Sequence, residues 1–262
     1  MSIVTGREVR IPINGMQLNT RVDGPENLPW MVFSNSLSSS ITQWDPLVAH
    51  FAPRYRTLRY DQRGHGGSSL PAPGTTMEAL ADDLLQLMAH FGVQKAVLVG
   101  VSMGATTVLR CAAKEPARCT AVVPCDGTWR TAPGSGPMWE ERFAVVRKEG
   151  MAGMAEPTVR RWFQQEFFDT QAETVDRIRA MIAATSPEGY FACAEALQDY
   201  DFSADYPKLT VPALFVAGEL DGDVPKVMRE MADATPGSTY ALIKNCGHLP
   251  NVEKPQELCA AM

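Results

Sequence analysis

The chain has 262 residues, of which 45% are apolar and 21% charged, with a formal net charge of −6. This length and balance suit one large α/β domain, exclude the basic surface that nucleic-acid binding requires, and leave no apolar run near the ~20 residues of a membrane span. The first residues lack a signal-peptide pattern, and no two of the six cysteines form a CxxC pair. We therefore expect a cytoplasmic protein without a metal site.

The pattern of apolar residues along the chain predicts strands alternating with helices. Residues 7–22 form two alternating runs around Asn14-Gly15, which predicts a β-hairpin. A helix is expected over 75–92, with Thr75 and Glu78 as its capping box, and another over 103–116. Short apolar runs typical of strands buried on both faces of a parallel sheet lie at 30–35, 56–61, 95–101, 119–126, 213–219 and 238–246. The alternation predicts a mostly parallel, doubly wound sheet.

This alternation is interrupted between about residues 128 and 206. The interval contains amphipathic stretches separated by Gly and Pro but no convincing strand, and it is too long for a single crossover. We therefore expect a core formed by residues 1–127 and 207–262, with residues 128–206 inserted as a helical lid. Helices are expected in the lid near 137–149, 156–168, 171–184 and 187–199.

One motif stands where a buried strand meets a helix. Residues 100–104 read GVSMG, a G-x-S-x-G sequence in the context of a nucleophile elbow. The flanking glycines leave room for a sharp turn, and the helix N-terminus favours developing negative charge. The pattern predicts Ser102 as a catalytic nucleophile, the alternative being an ordinary turn serine.

A serine nucleophile needs a base and an acid. The elbow architecture orders its partners Ser, then Asp or Glu, then His along the chain, and His248 is the only one of four histidines that follows Ser102. The acid should follow the preceding strand, where Glu219, Asp221 and Asp223 occur. We favour Asp221, which would hold the imidazole in one tautomer, because Asp223 borders a helical stretch and suits a helix cap.

The tetrahedral intermediate of such a reaction needs N–H donors for its oxyanion. The backbone N–H of Met103 is one candidate, since it directly follows the nucleophile. The second should come from the loop after the strand at 30–35, where we expect Leu37, with Ser36 as the alternative. This chemistry requires no cofactor.

These features resemble the α/β-hydrolase family and, within it, the 3-oxoadipate enol-lactonases of the β-ketoadipate pathway. The resemblance covers nearly the whole chain and rests on FSNSLSSSITQWD (33–45), LRYDQRGHGGSS (58–69), GVSMG (100–104), RRWFQQEF (160–167), GYFACAEALQDYD (189–201) and CGHLPNVEKP (246–255). It implies an α/β-hydrolase fold and carries over Ser102, Asp221 and His248 as a catalytic triad. It also implies hydrolysis of a lactone or carboxylic ester through an acyl-enzyme.

Three features depart from the family pattern. Ala105 stands where a glycine is expected after SMG, and Asp126 stands where an asparagine is more usual. The chain also ends at Met262, before the long closing helix expected of the family, as a truncated chain would. An enol-lactone of 3-oxoadipate carries a carboxylate, whereas the lid holds 8 Lys and Arg against 13 Asp and Glu, a net of −5.

Four side chains of the lid are candidates for the substrate pocket. Arg130 could bind a carboxylate, and Trp129 directly follows the end of a strand, where ligands bind in such sheets. Trp139 and Trp162 are the other candidates. The alternatives are a solvated surface arginine and tryptophans that only pack the lid.

The glycine-rich segment RGHGGS (63–68) contains a histidine before the elbow. His65 follows a predicted strand that ends at Asp61, and the chain then turns through glycines. We expect Asp61 and Arg63 to pin this turn and His65 to have no ligand role.

Several functions remain open at this point. The partner is expected to be a small lactone or ester, and the sequence leaves a homo-oligomer open. Alternatives are an esterase or lactonase for a bulkier neutral lactone, a C–C bond hydrolase, a perhydrolase, and a non-catalytic ligand sensor that presents the lid to a partner protein. A cation lining the pocket opposite Ser102 would favour the carboxylate-bearing lactone.

Overall fold

The computed structural model describes residues 5–70 and 74–262, which form an eight-stranded sheet and ten α-helices. The strands are β1 (Glu8–Ile13), β2 (Met16–Asp23), β3 (Trp30–Ser34), β4 (Arg56–Tyr60), β5 (Ala96–Val101), β6 (Cys119–Cys125), β7 (Leu214–Gly218) and β8 (Thr239–Ile243). The helices are α1 (Asp45–Phe51), α2 (Met77–His90), α3 (Met103–Lys114), α4 (Gly136–Trp162), α5 (Gln165–Thr170), α6 (Ala172–Ala183), α7 (Pro187–Ala196), α8 (Val224–Ala234), α9 (Pro250–Glu253) and α10 (Pro255–Ala261).

The strands are ordered β1-β2-β4-β3-β5-β6-β7-β8 across the sheet. β1 pairs antiparallel with β2 and β2 with β4, whereas every pairing from β4 to β8 is parallel. The predicted mostly parallel sheet is therefore confirmed. Because β3 and β5 to β8 run the same way, the loops that follow them open at one edge, where ligands bind in such sheets.

The predicted hairpin is present at the antiparallel edge. Asn14 and Gly15 have φ angles of +49° and +79°, as a two-residue turn with positive φ at both positions requires. The Asn14 amide also donates a hydrogen bond of 2.8 Å to Asp83 on α2. The turn is thus tied to the helix that packs beside it.

The central strands are buried on both faces. Along β3, Val32 belongs to one apolar cluster, whereas Met31 and Phe33 belong to another, as the two-residue period of a strand dictates. The first cluster is completed by α2, α3 and α8, and the second by α1, α9, α10 and α4 to α7. Burial on both faces explains why these strands are continuous apolar runs.

Residues 128–206 contain α4 to α7, between β6 and β7. α4 extends from Gly136 to Trp162 with a bend at Gly150, where φ is +67°. The expected break near residue 150 is therefore a bend, and the stretch expected as one helix over 156–168 is divided between the end of α4 and α5. Trp139 and Trp162, at the two ends of α4, lie in the same apolar cluster as Phe33 of the sheet.

One predicted helix cap was wrong by one residue. The N-cap of α2 is Thr76, whose side chain accepts a hydrogen bond from the Ala79 amide at 3.1 Å. Thr75, the expected cap, lies outside the helix and accepts a hydrogen bond from Arg63 instead. Gly92 has a φ of +68° just beyond the end of the helix, as expected of a C-terminal glycine.

The turn after β4 is held by a buried carboxylate. Asp61 is 1% exposed and accepts hydrogen bonds from the amides of Ile41 at 2.7 Å and Gly67 at 2.9 Å. Arg63 pairs with Asp83 of α2 at 2.7 Å. His65 is buried with Nδ1 3.0 Å from the Arg63 carbonyl, and burial lowers the pKa of His65 to about 4. It is therefore a neutral part of the turn.

All six cysteines are free thiols, and five are buried. Within the described parts of the chain, no cluster of His, Cys, Asp and Glu side chains is suited to bind a metal ion. No helix formed by those residues is both long and apolar enough to traverse a bilayer.

Replacing Asp61 with alanine should destabilise the protein, because the buried amides of Ile41 and Gly67 would lose their acceptor. We expect the free energy of unfolding, measured in urea, to fall by about 3 kcal/mol. The control is Asp169→Ala, an exposed carboxylate on α5. A loss no greater than that of the control would contradict this role for Asp61.

Candidate active site

Ser102 lies at the sharp turn between β5 and α3. Its φ and ψ are +57° and −118°, a strained conformation for a residue other than glycine. The Ser102 amide donates to the Cys125 carbonyl at 2.9 Å, and the Ser102 carbonyl accepts from the Ala105 amide at 2.9 Å. These bonds hold the serine at the carboxyl edge of the sheet, directly before the first turn of α3.

The two glycines of the motif are required by close backbone contacts. A Cβ atom on Gly100 would lie 2.1 Å from the Gly104 carbonyl oxygen, and one on Gly104 would lie 2.0 Å from the Ser34 carbonyl oxygen. Backbone atoms cannot move aside as a flexible side chain can. The unexpected methyl group of Ala105 fits because its neighbour is Gly127, where a Cβ would lie 2.6 Å from it.

His248 and Asp221 are hydrogen-bonded to each other. The Nδ1 atom of His248 donates to Oδ2 of Asp221 at 2.6 Å, and both residues are buried. The other two candidate acids lie elsewhere. Asp223 is exposed at the start of α8 without a side-chain cap bond, and Glu219 pairs with Lys244 at 2.6 Å. Of the three carboxylates, Asp221 is the one that contacts the imidazole.

Asp221 is an ionised acceptor in this pair. Burial raises the pKa of Asp221, but the charge that His248 carries when protonated, the hydrogen bond with His248 and the charge of Arg161 outweigh it, so that the pKa lies below its usual value. A carboxylate on Nδ1 fixes the tautomer that leaves Nε2 of the imidazole free to accept a proton.

The loop that carries His248 is anchored to α4 and α9. The His248 amide donates to the Trp162 carbonyl at 2.8 Å, and the two rings stack with centroids 6.0 Å apart. Glu253 is buried and accepts hydrogen bonds from the amides of Gly247 at 2.6 Å and Gln164 at 3.2 Å. These bonds couple the histidine to the end of α4.

A cavity of about 190 Å³ brings the predicted catalytic groups together. Ser102 and His248 line it, with Met103, Leu37 and Ser36. The Met103 amide is the first of α3 and therefore has no carbonyl one turn earlier to bind. Leu37 and Ser36 both border the cavity, so the choice between them as second oxyanion donor stays open.

The structure divides the four predicted pocket residues into two pairs. Trp139 and Trp162 line the cavity, whereas Trp129 and Arg130 do not. Trp129 stacks on Tyr206, with ring centroids 6.1 Å apart, and Arg130 is exposed above the Trp129 ring. Trp129 and Arg130 lie outside the cavity wall because they pair with Tyr206 and Asp201 in the segment before β7, whereas Thr128, Thr131 and Ala132 line the cavity.

Two arginines that the sequence analysis did not single out line the cavity. Arg142 and Arg161 are on α4, in the cavity wall with Ser102 and His248. Arg142 lies three residues after Trp139, on the same helix face, and Arg161 directly precedes Trp162. Their proximity to the predicted tryptophans is the signal that could have identified them.

The arginines keep their charge and are accompanied by unpaired donors. Arg161 lines the cavity and its side chain is exposed to solvent. The protein atoms around its guanidinium and the charge of Arg142 lower the pKa of Arg161 to about 10, which leaves it charged at neutral pH. The Tyr190 hydroxyl and Trp162 Nε1 are buried without a hydrogen-bond partner among the described residues. This wall therefore presents positive charge and unused N–H and O–H groups.

The family model of the alpha/beta hydrolase fold matches residues 29–255. The chain belongs to this family, and it is a hydrolase.

Three similar proteins are two enol-lactonases and one esterase. The chain is 30% identical over 240 residues to 3-oxoadipate enol-lactonase 2 of Acinetobacter baylyi, covering 91% of this chain and 89% of the relative. It is similar to the crystal structure of the enol-lactonase from Burkholderia xenovorans LB400, with a TM-score of 0.92, 34% identity, and coverage of 96% and 97% of the two chains. It is also similar to a thermophilic esterase from Thermogutta terrifontis with malate bound, with a TM-score of 0.89, 30% identity, and coverage of 98% and 96%. The resemblance inferred from the sequence is confirmed.

Adding a methyl group at Gly104 should displace the turn that carries Ser102, because its neighbour is the backbone carbonyl of Ser34. We expect Gly104→Ala to lower the free energy of unfolding by about 1–3 kcal/mol. Gly136→Ala is the matched control, since a Cβ there has nothing within 4 Å. Equal stability of the two variants by thermal unfolding would refute the close contact.

Proposed function

We propose that this hydrolase cleaves a small lactone or carboxylic ester that bears a carboxylate, as a 3-oxoadipate enol-lactonase does. One observation carries the proposal: Ser102 and His248 share a cavity with Arg142 and Arg161. A nucleophile, a base and two cations in one cavity suit a substrate that carries both an acyl carbon and an anion.

In this mechanism His248 Nε2 takes the proton of Ser102 as the hydroxyl oxygen attacks the acyl carbon. The N–H of Met103 and that of Leu37 or Ser36 stabilise the oxyanion. The C–O bond of the lactone then breaks, and the imidazolium returns its proton to the departing oxygen. Water, deprotonated by the same imidazole, attacks the acyl-enzyme. The bond between the acyl carbon and Ser102 Oγ then breaks, the imidazolium returns the proton to Oγ, and the acid leaves, so that one water is consumed for each ester bond cleaved.

Asp221 supports these steps without exchanging a proton. Its carboxylate orients the imidazole and stabilises the imidazolium that forms twice in each cycle. The lowered pKa of Asp221 keeps it anionic across the neutral range. Below that range, protonation of Asp221 would remove the stabilising charge.

The size and charge of the cavity favour a small anionic substrate over a bulky neutral one. Its volume of about 190 Å³ is only slightly above the roughly 150 Å³ of a cavity that holds benzene. The similar esterase was crystallised with malate, a small dicarboxylate. We assign carboxylate binding to Arg142 and Arg161, in place of Arg130.

We further propose that residues 128–206 act as a lid over a core formed by residues 1–127 and 207–262. Support comes from α4, which contributes Trp139, Arg142, Arg161 and Trp162 to the cavity wall. Substrate selection would then reside in the lid, and the chemistry in the core.

Removing the hydroxyl of Ser102 tests the catalytic assignment. Ser102→Ala should lower kcat/KM for p-nitrophenyl acetate and for an enol-lactone by about 10⁴-fold or more, since no other nucleophile lines the cavity in the same position. Activity near that of the wild type would refute the mechanism. A panel that adds a 1,3-diketone and hydrogen peroxide with acetate separates ester hydrolysis from C–C cleavage and perhydrolysis.

Removing a cavity cation tests the substrate class. Arg161→Met should lower kcat/KM for a carboxylate-bearing lactone by roughly 10- to 100-fold, the effect of losing a charge-assisted hydrogen bond of about 1.5–3 kcal/mol. The loss for p-nitrophenyl acetate should be smaller, because that substrate is affected only through the lost charge near Asp221. The control is Arg130→Met, which removes an exposed arginine outside the cavity. Equal losses on the charged and the neutral substrate would show that Arg161 does not bind the carboxylate.

A further inference from the structure

A second buried carboxyl group lies beside the proposed catalytic acid. Asp126 directly follows β6, is 2% exposed and has a φ of +46°. Its Oδ1 atom accepts a hydrogen bond of 2.8 Å from the Gly218 amide, and its own amide donates to the Val216 carbonyl at 3.0 Å. These contacts fix the carboxyl between the ends of β6 and β7, next to the loop that carries Asp221.

The other oxygen of Asp126, Oδ2, is buried and has no hydrogen-bond donor among the described residues. Gly218, which donates to Asp126, also accepts a hydrogen bond of 3.2 Å from the Asp221 amide, and the two carboxyl groups interact. Two carboxylates in contact in a buried site cannot both stay ionised, so one of them holds a proton. The arrangement then becomes a hydrogen bond between an acid and a carboxylate.

The surrounding groups decide which of the two is protonated. Asp221 faces the Nδ1–H of His248 and the charge of Arg161, which favour its anion. The Asp126 carboxyl accepts only the hydrogen bond from the Gly218 amide among the described residues. Burial together with the charge of Asp221 raises the pKa of Asp126 well above its usual value. The titratable groups that interact with Asp126 are Cys125 on β6, Asp221 after β7, Tyr240 on β8, Cys246 after β8 and Glu253 on α9.

We propose that Asp126 is a positioning residue, a neutral carboxylic acid that donates the hydrogen on Oδ2 to Asp221 and holds that carboxylate towards His248. This inference rests on the proposed function, because the effect of Asp126 on turnover passes through Asp221. A proton lost from Asp126 at alkaline pH would place two anions in contact. Asp221 would then be pushed from His248, and kcat would fall.

The test compares two substitutions at this position. Asp126→Ala removes the donor and should lower kcat about tenfold, the factor for one hydrogen bond to a charged group. Asp126→Asn should restore most of that loss, because its carbonyl can accept from Gly218 and its amide can donate to Asp221. Since the amide has no proton to lose, the Asn variant should also keep its kcat at alkaline pH where that of the wild type declines.

Infrared spectroscopy supplies a readout that does not depend on turnover. The wild type at neutral pH should show the C=O stretching band of a protonated carboxyl, and Asp126→Asn should lack it. Asp223→Asn, an exposed carboxylate in the same loop as Asp221, should behave as the wild type in both assays. If Ser102→Ala kept its activity, the proposed function would fail while the infrared band would still report the protonation of Asp126.

Three results would overturn the inference. The first is the absence of the carboxyl band from the wild type, and the second is an Asn variant no more active than the Ala variant. The third is an alkaline decline that is the same in the wild type and the Asn variant. A loss in Asp126→Asn with a tolerated Asp221→Asn would instead make Asp126 the catalytic acid.

Discussion

Backbone contacts without room for a side chain determine where the candidate catalytic groups lie. Gly104 at the start of α3 packs against the Ser34 carbonyl, and a Cβ on Gly218 would lie 1.9 Å from the Gly247 carbonyl oxygen. The first contact places the loop after β5 against β3, and the second places the loop after β8 against β7. The positions of Ser102 and His248 therefore follow from how closely the main chain packs at the carboxyl edge of the sheet.

Buried carboxylates bind loop amides near the candidate site. Asp61 accepts hydrogen bonds from amides in the loops after β3 and β4. Glu253 accepts hydrogen bonds from an amide of the loop that carries His248 and from an amide just after α4. Each carboxylate replaces water as the acceptor for loop amides that no strand or helix satisfies. Because Trp162 both binds the His248 amide and lines the cavity, a movement of α4 would alter the base and the pocket together.

The net charge of residues 128–206 is a poor guide to the charge that lines the cavity. The segment carries a net charge of −5, yet Arg142 and Arg161 face the cavity, whereas carboxylates such as Glu140 and Glu166 are exposed. A helix has an inner and an outer face, so opposite charges on the two faces cancel in any count along the chain. The charge that the cavity presents to a substrate is therefore set by the one face of α4 that lines it.

The sequence by itself determined the alternation of strands and helices and the hairpin at Asn14-Gly15, and it singled out Ser102, Asp221 and His248 as candidate catalytic residues. These depend on local patterns: the period of apolar residues, a turn that only certain residues adopt, and the chain order of an elbow architecture. Only the tertiary structure decided that Arg142 and Arg161 line the cavity, that Trp129 and Arg130 do not, and that Asp126 meets Asp221. Those outcomes depend on which face of α4 turns inward and which strand ends become neighbours, and both are set by contacts between residues distant in the chain.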